Sequence, residues 1–504
     1  MRSTFVGFET ARRGLMASQK AIDVTGNNLA NINTPGYTRQ RLDLVSINNF
    51  GASNQFATVQ ASKTGQGVGM LGVAQVRDKF LDKRFREEYC DVGYYDQMAS
   101  ALKDVENSLD ERVNSGLKDA LSNFMEAIQS LNNYSDQEEN ANIVLTSAKN
   151  MTEVLRVFSN KLDAIAGQQQ FELDIAVKEV NSIFEDLAEL NKTISTDILV
   201  SGNGKIDSTL YGPNELIDKQ NQLLDTLSQY ADIEVVHNAD HTVKVSFAGK
   251  TAVEGEDFVG IVSSVEPNDN TVSITWTDTG KPLDLRSGKL RAFYDFINGN
   301  GIHAADTLSP NDTLDKGVKY YQSKIDKFAE VFANAFNNIL PVKDENGNNT
   351  GEFKQLFVVE DGFTSMNAKS IRINPEWEQR PGYIINDIMV DGKLDNSYVS
   401  KMISVFTSEE HNFGEYVGSF EEYVDFYNLG VGEQIKGNSE RLKSACEVTE
   451  SVMDKRDQIS GVSQDEEGVN LMVFQKAFQA SSRLMTTLDE ALDIIINRMG
   501  LVGR

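Results

Sequence analysis

The sequence predicts a mainly α-helical α+β protein. Long terminal helices pair as a coiled coil, a helical-bundle body lies between them, and small β domains are inserted. Three observations predict it. Both ends carry heptad-spaced apolar seams, the chain between them is dominated by helical periodicity, and that period switches to two over a short central span.

At the C-terminal end Leu471, Phe474, Phe478, Ser481, Met485, Leu488, Leu492, Ile495, Met499 and Val502 recur at 3-4 spacing, and only Ser481 breaks the apolar series. At the N-terminal end Phe8, Leu15, Ile22 and Leu29 fall seven apart. Ala11, Ser18, Thr25 and Ile32 lie between them, mostly small, so a partner backbone can come close. Neither seam has a partner nearby in sequence, so the two ends are expected to pair with each other. The same periodicity also suits a helix buried in the chain's own core.

A C-terminal helix of roughly 38 residues is about 55 Å long. Burying its seam gains on the order of 15–30 kcal/mol. Ordering the backbone costs ~1–2 kcal/mol per residue, which is more. A second stripe, Val473, Ala477, Ala480, Leu484, Thr487, Ala491 and Ile494, lies roughly 110° around the helix. A helix apolar on two faces expects two neighbours. These ends are therefore expected to order fully only in an assembly, which points to a polymer-forming protein rather than an enzyme.

Composition narrows the function classes. With 48 basic and 75 acidic residues the net charge is −27, which argues against nucleic acid and anionic membranes as partners. The 40% apolar fraction marks a folded chain. No stretch reaches the apolar length of a membrane span, so no membrane insertion is expected, and Met1-Arg2-Ser3-Thr4-Phe5 does not open a secretory signal. Two cysteines, Cys90 and Cys446, exclude a disulfide framework; lone thiols suit them better than a bridge.

The organisation follows from the pattern in order. Residues 1–33 read as a helix closed by Asn33-Thr34-Pro35-Gly36-Tyr37, where Pro-Gly suits a type II turn. An extended stretch reaches about Gly72, and helical pattern then runs from Val73 to about Ser195. Another helix covers Leu216–Tyr230. Val243, Val245 and Phe247, then Val272, Ile274 and Trp276, alternate with polar residues as strands. Helix returns near Leu290 and over Val318–Leu340. A last helical block starts near Phe413, with breaks expected at Gly430 to Gly432 and near Ser460-Gly461. The expected domains are 1–60 with 461–504 as a terminal coiled coil, and 61–231 with 286–340 and 401–460 as the body. The span 232–285 is an outward β insertion, and 341–400 is a mixed insertion.

Catalytic and metal chemistry has little to stand on. His237 and His241 flank a hairpin turn, and no H-E-x-x-H occurs. Gly202-Asn203-Gly204-Lys205 lacks the Ser or Thr of a phosphate loop. Gly65-Gln66-Gly67-Val68-Gly69 precedes a strand rather than a helix. Asp344-Glu345-Asn346-Gly347-Asn348 lacks the glycine and glutamate of a calcium loop, so a plain turn is expected. No catalytic, metal or cofactor residues are assigned.

Thr25-Gly26-Asn27-Asn28-Leu29-Ala30-Asn31-Ile32-Asn33-Thr34-Pro35-Gly36-Tyr37-Thr38-Arg39-Gln40 resembles the N-terminal signature of bacterial flagellar rod, hook and hook-associated axial proteins. Its Thr-Pro-Gly-Tyr-Thr-Arg-Gln ending is most similar to the branch at the first hook–filament junction. Asp218 to Ser228 resembles a helix of that branch, with Lys219-Gln220 and Asn221 as variants. Ser460-Gly461-Val462, Asp465-Glu466-Glu467 and Asn470 to Ala480 resemble its C-terminal signature. The surface of residues 232–400 is not covered by the resemblance.

The resemblance implies a structural subunit whose terminal helices line an axial channel, assembled as a ring with itself. It implies hook protein, hook-associated protein 3 and an export chaperone on the C-terminal helix as partners. It also implies type III export without a cleaved signal and an extracellular place in the flagellum. The assembly seam is expected on Phe8, Leu15, Ile22, Leu29, Leu471, Phe474, Phe478, Met485, Leu488, Leu492, Ile495 and Met499. The signature residues are Asn27, Asn28, Asn31, Asn33, Thr34, Pro35, Gly36 and Tyr37. Another axial protein (hook-associated protein 3, hook or rod) is the alternative within the class. An enzyme or adhesin on a helical stalk is the alternative outside it, and it would need a constellation in 232–400 that the sequence does not offer.

Overall fold

The computed structural model describes residues 5–47, 67–109, 116–133, 138–200, 212–267, 269–301, 313, 315–343, 349–385, 389–390, 393–394 and 397–498. The chain divides into two compact units. Unit 1 holds residues Met1–Cys90, Val180–Gly260 and Cys446–Arg504; unit 2 holds Asp91–Glu179 and Ile261–Ala445. Residues 232–285, expected as one insertion, are thus shared between the units. The tetrad of strands up to Phe258 falls in unit 1 and the following hairpin in unit 2.

In unit 1, helix α1 (Phe5–Ala30) leads into strand β1 (Gln40–Ser46), which pairs antiparallel with β2 (Val68–Gln75). Helix α2 (Lys79–Leu109) begins here, so the helical pattern starts at Lys79, six residues beyond Val73, because Val73 to Gln75 belong to β2. After helices α3 (Leu117–Asn133) and α4 (Glu138–Val200), unit 1 resumes at Val180 with the end of α4, followed by α5 (Asn214–Ser228). Strands β3 (Ile233–His237), β4 (Val243–Phe247), β5 (Lys250–Glu254) and β6 (Asp257–Phe258) form one antiparallel sheet in chain order.

That sheet packs by its apolar face. Val243, Val245 and Phe247 are buried, and the Phe247 ring meets Phe184 of α4 edge-on at 5.3 Å. An outward decoration would have kept its core to itself. Instead the alternation of β4 supplies the cover for α4. The β3–β4 turn closes through Asn238 N–H to the Thr242 carbonyl at 2.9 Å.

Unit 2 contains the hairpin of β7 (Ile261–Val265) and β8 (Val272–Trp276), then helices α6 (Lys289–Asn298) and α7 (Val318–Asn337). Short hairpins follow: β9 (Pro341–Lys343) with β10 (Asn349–Phe353), and β11 (Phe357–Val359) with β12 (Ile371–Ile373). Helices α8 (Pro375–Gln379), α9 (Ser397–Thr407) and the first part of the long α10 (Phe420–Ser460) complete it; the chain returns to unit 1 at Cys446 within α10 and continues into α11 (Gln464–Asp493). The core is aromatic. Phe328, Phe332 and Phe336, spaced one turn apart on α7, are fully buried, and Phe124 of α3 lies 5.4 Å from Phe336.

Two boundaries differ from the sequence reading. Helix α10 runs unbroken through Gly430, Val431 and Gly432. Two glycines cost a helix about 1 kcal/mol each against alanine, and the burial of Tyr427 and Val431 on the core side outweighs that. At the other end, α11 stops at Asp493 and Ile494–Arg498 form a wider π-turn, so the regular helix is shorter than expected. The break at Ser460-Gly461 is present. The Gly202–Lys205 and Asp344–Asn348 motifs lie outside the described residues, as does Gly65.

Candidate assembly interface

Helices α1 and α11 lie against each other antiparallel. A Cβ built on Gly7 would lie 3.2 Å from Leu488 Cδ1, and one on Gly14 would lie 3.0 Å from Ser481 Oγ. Seven residues forward on one helix match seven back on the other. Ser481, the exception in the apolar series, therefore sits where Gly14 brings the backbones together, and a larger residue there would separate them. Ser18 returns its hydroxyl to the Gly14 carbonyl at 2.9 Å, so its own polar group is satisfied within α1.

The seam residues share this face but are only half-buried. Phe8, Leu15, Ile22 and Leu29 on α1 and Leu471, Phe474, Phe478, Met485, Leu488 and Leu492 on α11 are all intermediate. Ile495 is 45% exposed in the π-turn, and Met499 lies outside the described residues. The buried positions on α1 are mostly small, Ala11, Ala17, Ser18, Ala21 and Thr25, joined by Val24 and Asn28. On the second α11 stripe Val473 is 55% and Leu484 46% exposed.

The signature folds as a capped turn. Tyr37 N–H bonds the Thr34 carbonyl at 3.2 Å, and Gly36 has φ +80°, the left-handed position a type II turn reserves for glycine. Asn28, buried at the end of α1, accepts from the Gln40 N–H at 3.0 Å and donates to the Gln40 carbonyl at 2.9 Å. Its oxygen also accepts the Tyr37 hydroxyl at 2.8 Å. Asn27 donates to that hydroxyl at 3.3 Å, and Asn31 donates back to Asn27 at 3.0 Å. Thr34 donates to Asn31 at 3.1 Å. Asn33, Pro35 and Gly36 are exposed. Burial, with Asp218 nearby, pushes the Tyr37 phenol up to about 12.

A second tier of polar groups lies beneath the turn. Asp218 of α5 accepts from the Thr38 N–H at 3.2 Å and the Gln75 amide at 2.9 Å; burial raises its carboxyl, and Thr38 leads the groups that oppose this. One helical turn pair later, Asp225 receives Arg86 and Arg456, each at 2.7 Å, and the Arg456 guanidinium sits 4.1 Å over the Phe85 ring. Arg77 pairs with Asp82 at 2.6 Å. Arg39 reaches Glu466 at 2.9 Å and Glu467 at 2.8 Å, at the first turn of α11. Of these groups Thr38, Arg39, Arg77, Asp225, Arg456 and Glu466 edge an open groove of about 790 Å³ between the signature turn, α5 and the end of α10.

The sequence marked the α5 block and both signatures but none of these long-range partners. The available signal was the spacing of Asp218, Asn221 and Asp225, polar residues on one side of α5, two of them buried. His237 is half-buried, and the desolvation holds its imidazole down at about 4 and therefore neutral at physiological pH. Among the described residues no group of three or more His, Cys, Asp or Glu is placed to hold a metal ion. Cys90 is buried and Cys446 exposed, and neither is in a disulfide. No described helix is long and apolar enough to cross a membrane.

Three family models match this framework. Residues 8–38 match the flagella basal body rod protein family and 456–499 the C-terminal family of the flagellar basal body rod FlgEFG proteins. Residues 102–353 match the helical domain of the flagellar hook-associated protein FlgK. The flagellar hook-associated protein 1 of Bacillus subtilis is 32% identical over 528 aligned positions, covering 100% of both chains. This chain belongs to the flagellar hook-associated protein 1 family. That of Salmonella typhimurium is 24% identical over 65% of this chain and 55% of its own length. A solved structure, the flagellar hook junction protein FlgK from Burkholderia pseudomallei, aligns with 55% of this chain and 46% of its own at TM-score 0.43 and 18% identity. The family is structural, not enzymatic, and its members are components of the flagellum. In this chain the first family match falls on α1 with its turn, and the last covers the end of α10 and α11.

Proposed function

We propose that the protein forms the junction between hook and filament as a ring of identical subunits, held by its paired terminal helices. The carrying observation is that α1 and α11 pair through half-buried seams while the second α11 stripe stays exposed. A helix pair with an uncovered apolar stripe gains most of its remaining burial from neighbours. Hook protein on one side and hook-associated protein 3 on the other are the partners this reading requires, with an export chaperone covering α11 before assembly. The subunit acts outside the cell, after type III export without a cleaved signal, and its work is mechanical.

Leu488→Asp tests this reading. It places a carboxylate against Gly7 in the half-buried seam, where part of its hydration is lost. Cells carrying it should make hooks without filaments and release flagellin into the medium, while the purified variant keeps the unit 2 core. Normal filaments on such cells would refute the proposal.

A further inference from the structure

We infer that Arg39 sets the angle of the elbow between α10 and α11, so that the N-terminal signature fixes the orientation of the C-terminal helix. The inference rests on the geometry of unit 1 and holds whether or not the junction reading does.

Arg39 is held at its backbone and at its guanidinium. Its N–H bonds the Ser460 carbonyl, the last residue of α10, at 2.9 Å, and its carbonyl accepts from Val76 at 2.8 Å. Its guanidinium forks to Glu466 and Glu467 across the elbow. One residue thus touches the end of one helix and the start of the next. The elbow itself, Gly461 to Ser463, is closed by the Gly461 N–H to the Asp457 carbonyl at 2.8 Å. A Cβ at Gly461 would lie 2.5 Å from that carbonyl, so only glycine fits, and Ser463 caps α11 by accepting from the Glu466 N–H at 3.5 Å.

What makes Arg39 decisive is Glu467. It is 2% exposed, and it is the one fully buried residue of α11 among those described. Everything beyond it is half-exposed pairing with α1 or open surface. The base of α11 is therefore anchored by a buried carboxylate, and a buried carboxylate stays buried only while its cation is present. Without Arg39 the helix start must lift to rehydrate Glu467, and the elbow loses its single angle.

Hydrogen exchange on the purified full chain tests this. Arg39→Ala should speed exchange across Asn470–Asp493 by about tenfold or more, leaving Leu117–Asn133 unchanged. The charge-exchanged double variant Arg39→Glu with Glu467→Arg should recover most of that protection, which loss of packing alone would not do. Unchanged exchange in Arg39→Ala, or a double variant as loose as the single, would overturn the inference. If Arg39→Ala fails to fold, the Glu466→Gln, Glu467→Gln variant removes the same charges with little change of shape. It should loosen α11 likewise, and unaltered exchange in it would equally refute the role.

Discussion

Asn191 stands beside Val243 as a strand neighbour would: its carboxamide accepts from the Val243 N–H at 2.9 Å and donates to the Val243 carbonyl at 2.9 Å. The residue is fully buried on α4, so a helix side chain completes a sheet edge that water cannot reach. Three more buried asparagines do the same. Asn28 serves Gln40, Asn298 serves Val272 at 2.8 and 2.7 Å, and Asn337 serves Phe357 at 2.9 and 2.8 Å. Each replaces a missing strand at the point where a helix meets a hairpin. Asn191→Leu, nearly equal in volume, leaves both backbone groups of Val243 without partners. It should destabilise unit 1 by about 2–4 kcal/mol, measured by urea unfolding.

The α7 aromatics should dominate the stability of unit 2. Phe332 is fully buried, 4.9 Å from Phe336 and 5.2 Å from Phe357. Phe332→Ala should cost about 3–5 kcal/mol in denaturant unfolding. A loss below about 1 kcal/mol would mean that the cluster collapses into the space.

Asp295 should give unit 2 an unusual pH response. Its carboxyl is buried, accepts Arg291 at 2.7 Å and Tyr94 at 3.2 Å through one oxygen, and has no partner on the other. Burial pushes it up to about 6, against the opposing pull of Arg291. A carboxyl raised above its unfolded value of about 3.9 binds its proton more tightly when folded. Its contribution is therefore complete below about pH 4 and is lost as pH rises through 6. Asp295→Asn, which cannot ionise, should melt higher than the parent by about 2–6 °C at pH 8, with the gap closing by pH 4. A pH-independent gap would assign the difference to shape rather than charge.

Gly14 should be as sensitive as any apolar seam residue. Gly14→Val forces a branched side chain against Ser481 and should separate α1 from α11, seen as faster exchange in both helices. Adding Ser481→Gly should restore part of the protection, since it clears the contacting hydroxyl. No recovery in the double variant would place the clash elsewhere.

Excising 233–284 should leave a body that does not fold. The cut removes Phe247 and strips the cover from Phe184 and Asn191, all buried. Circular dichroism should show loss of the cooperative melt. A variant with an intact melt would mean that α4 repacks without the sheet.

The terminal seams, the Pro-Gly turn and the alternation in β4 and β8 were legible because each is written in short-range spacing. In the sequence Ser481 only breaks the apolar series; its fit depends on Gly14, which lies opposite it in space. What could not be read were pairings such as Arg39 with Glu467 or Thr38 with Asp218, whose members are 428 and 180 residues apart. Local period carries no information about which distant charge will answer a buried one. Gly430 and Gly432 misled for a related reason. Propensity marks them as breaks, whereas the tertiary burial of Tyr427 and Val431 decides the matter.

The way α11 is held has a mechanical consequence. Its base is gripped at Glu467, its middle rests on Gly14 at closest approach, and its far end, at Ile494 to Ile496, lies open. That is a cantilever: a beam clamped at one end, propped part-way, and free at the tip. Force applied near the tip of such a beam bends it most at the prop. Any load applied at the tip of α11 would therefore converge on the contact between Gly14 and Ser481, with the grip of Arg39 on Glu467 resisting the remainder.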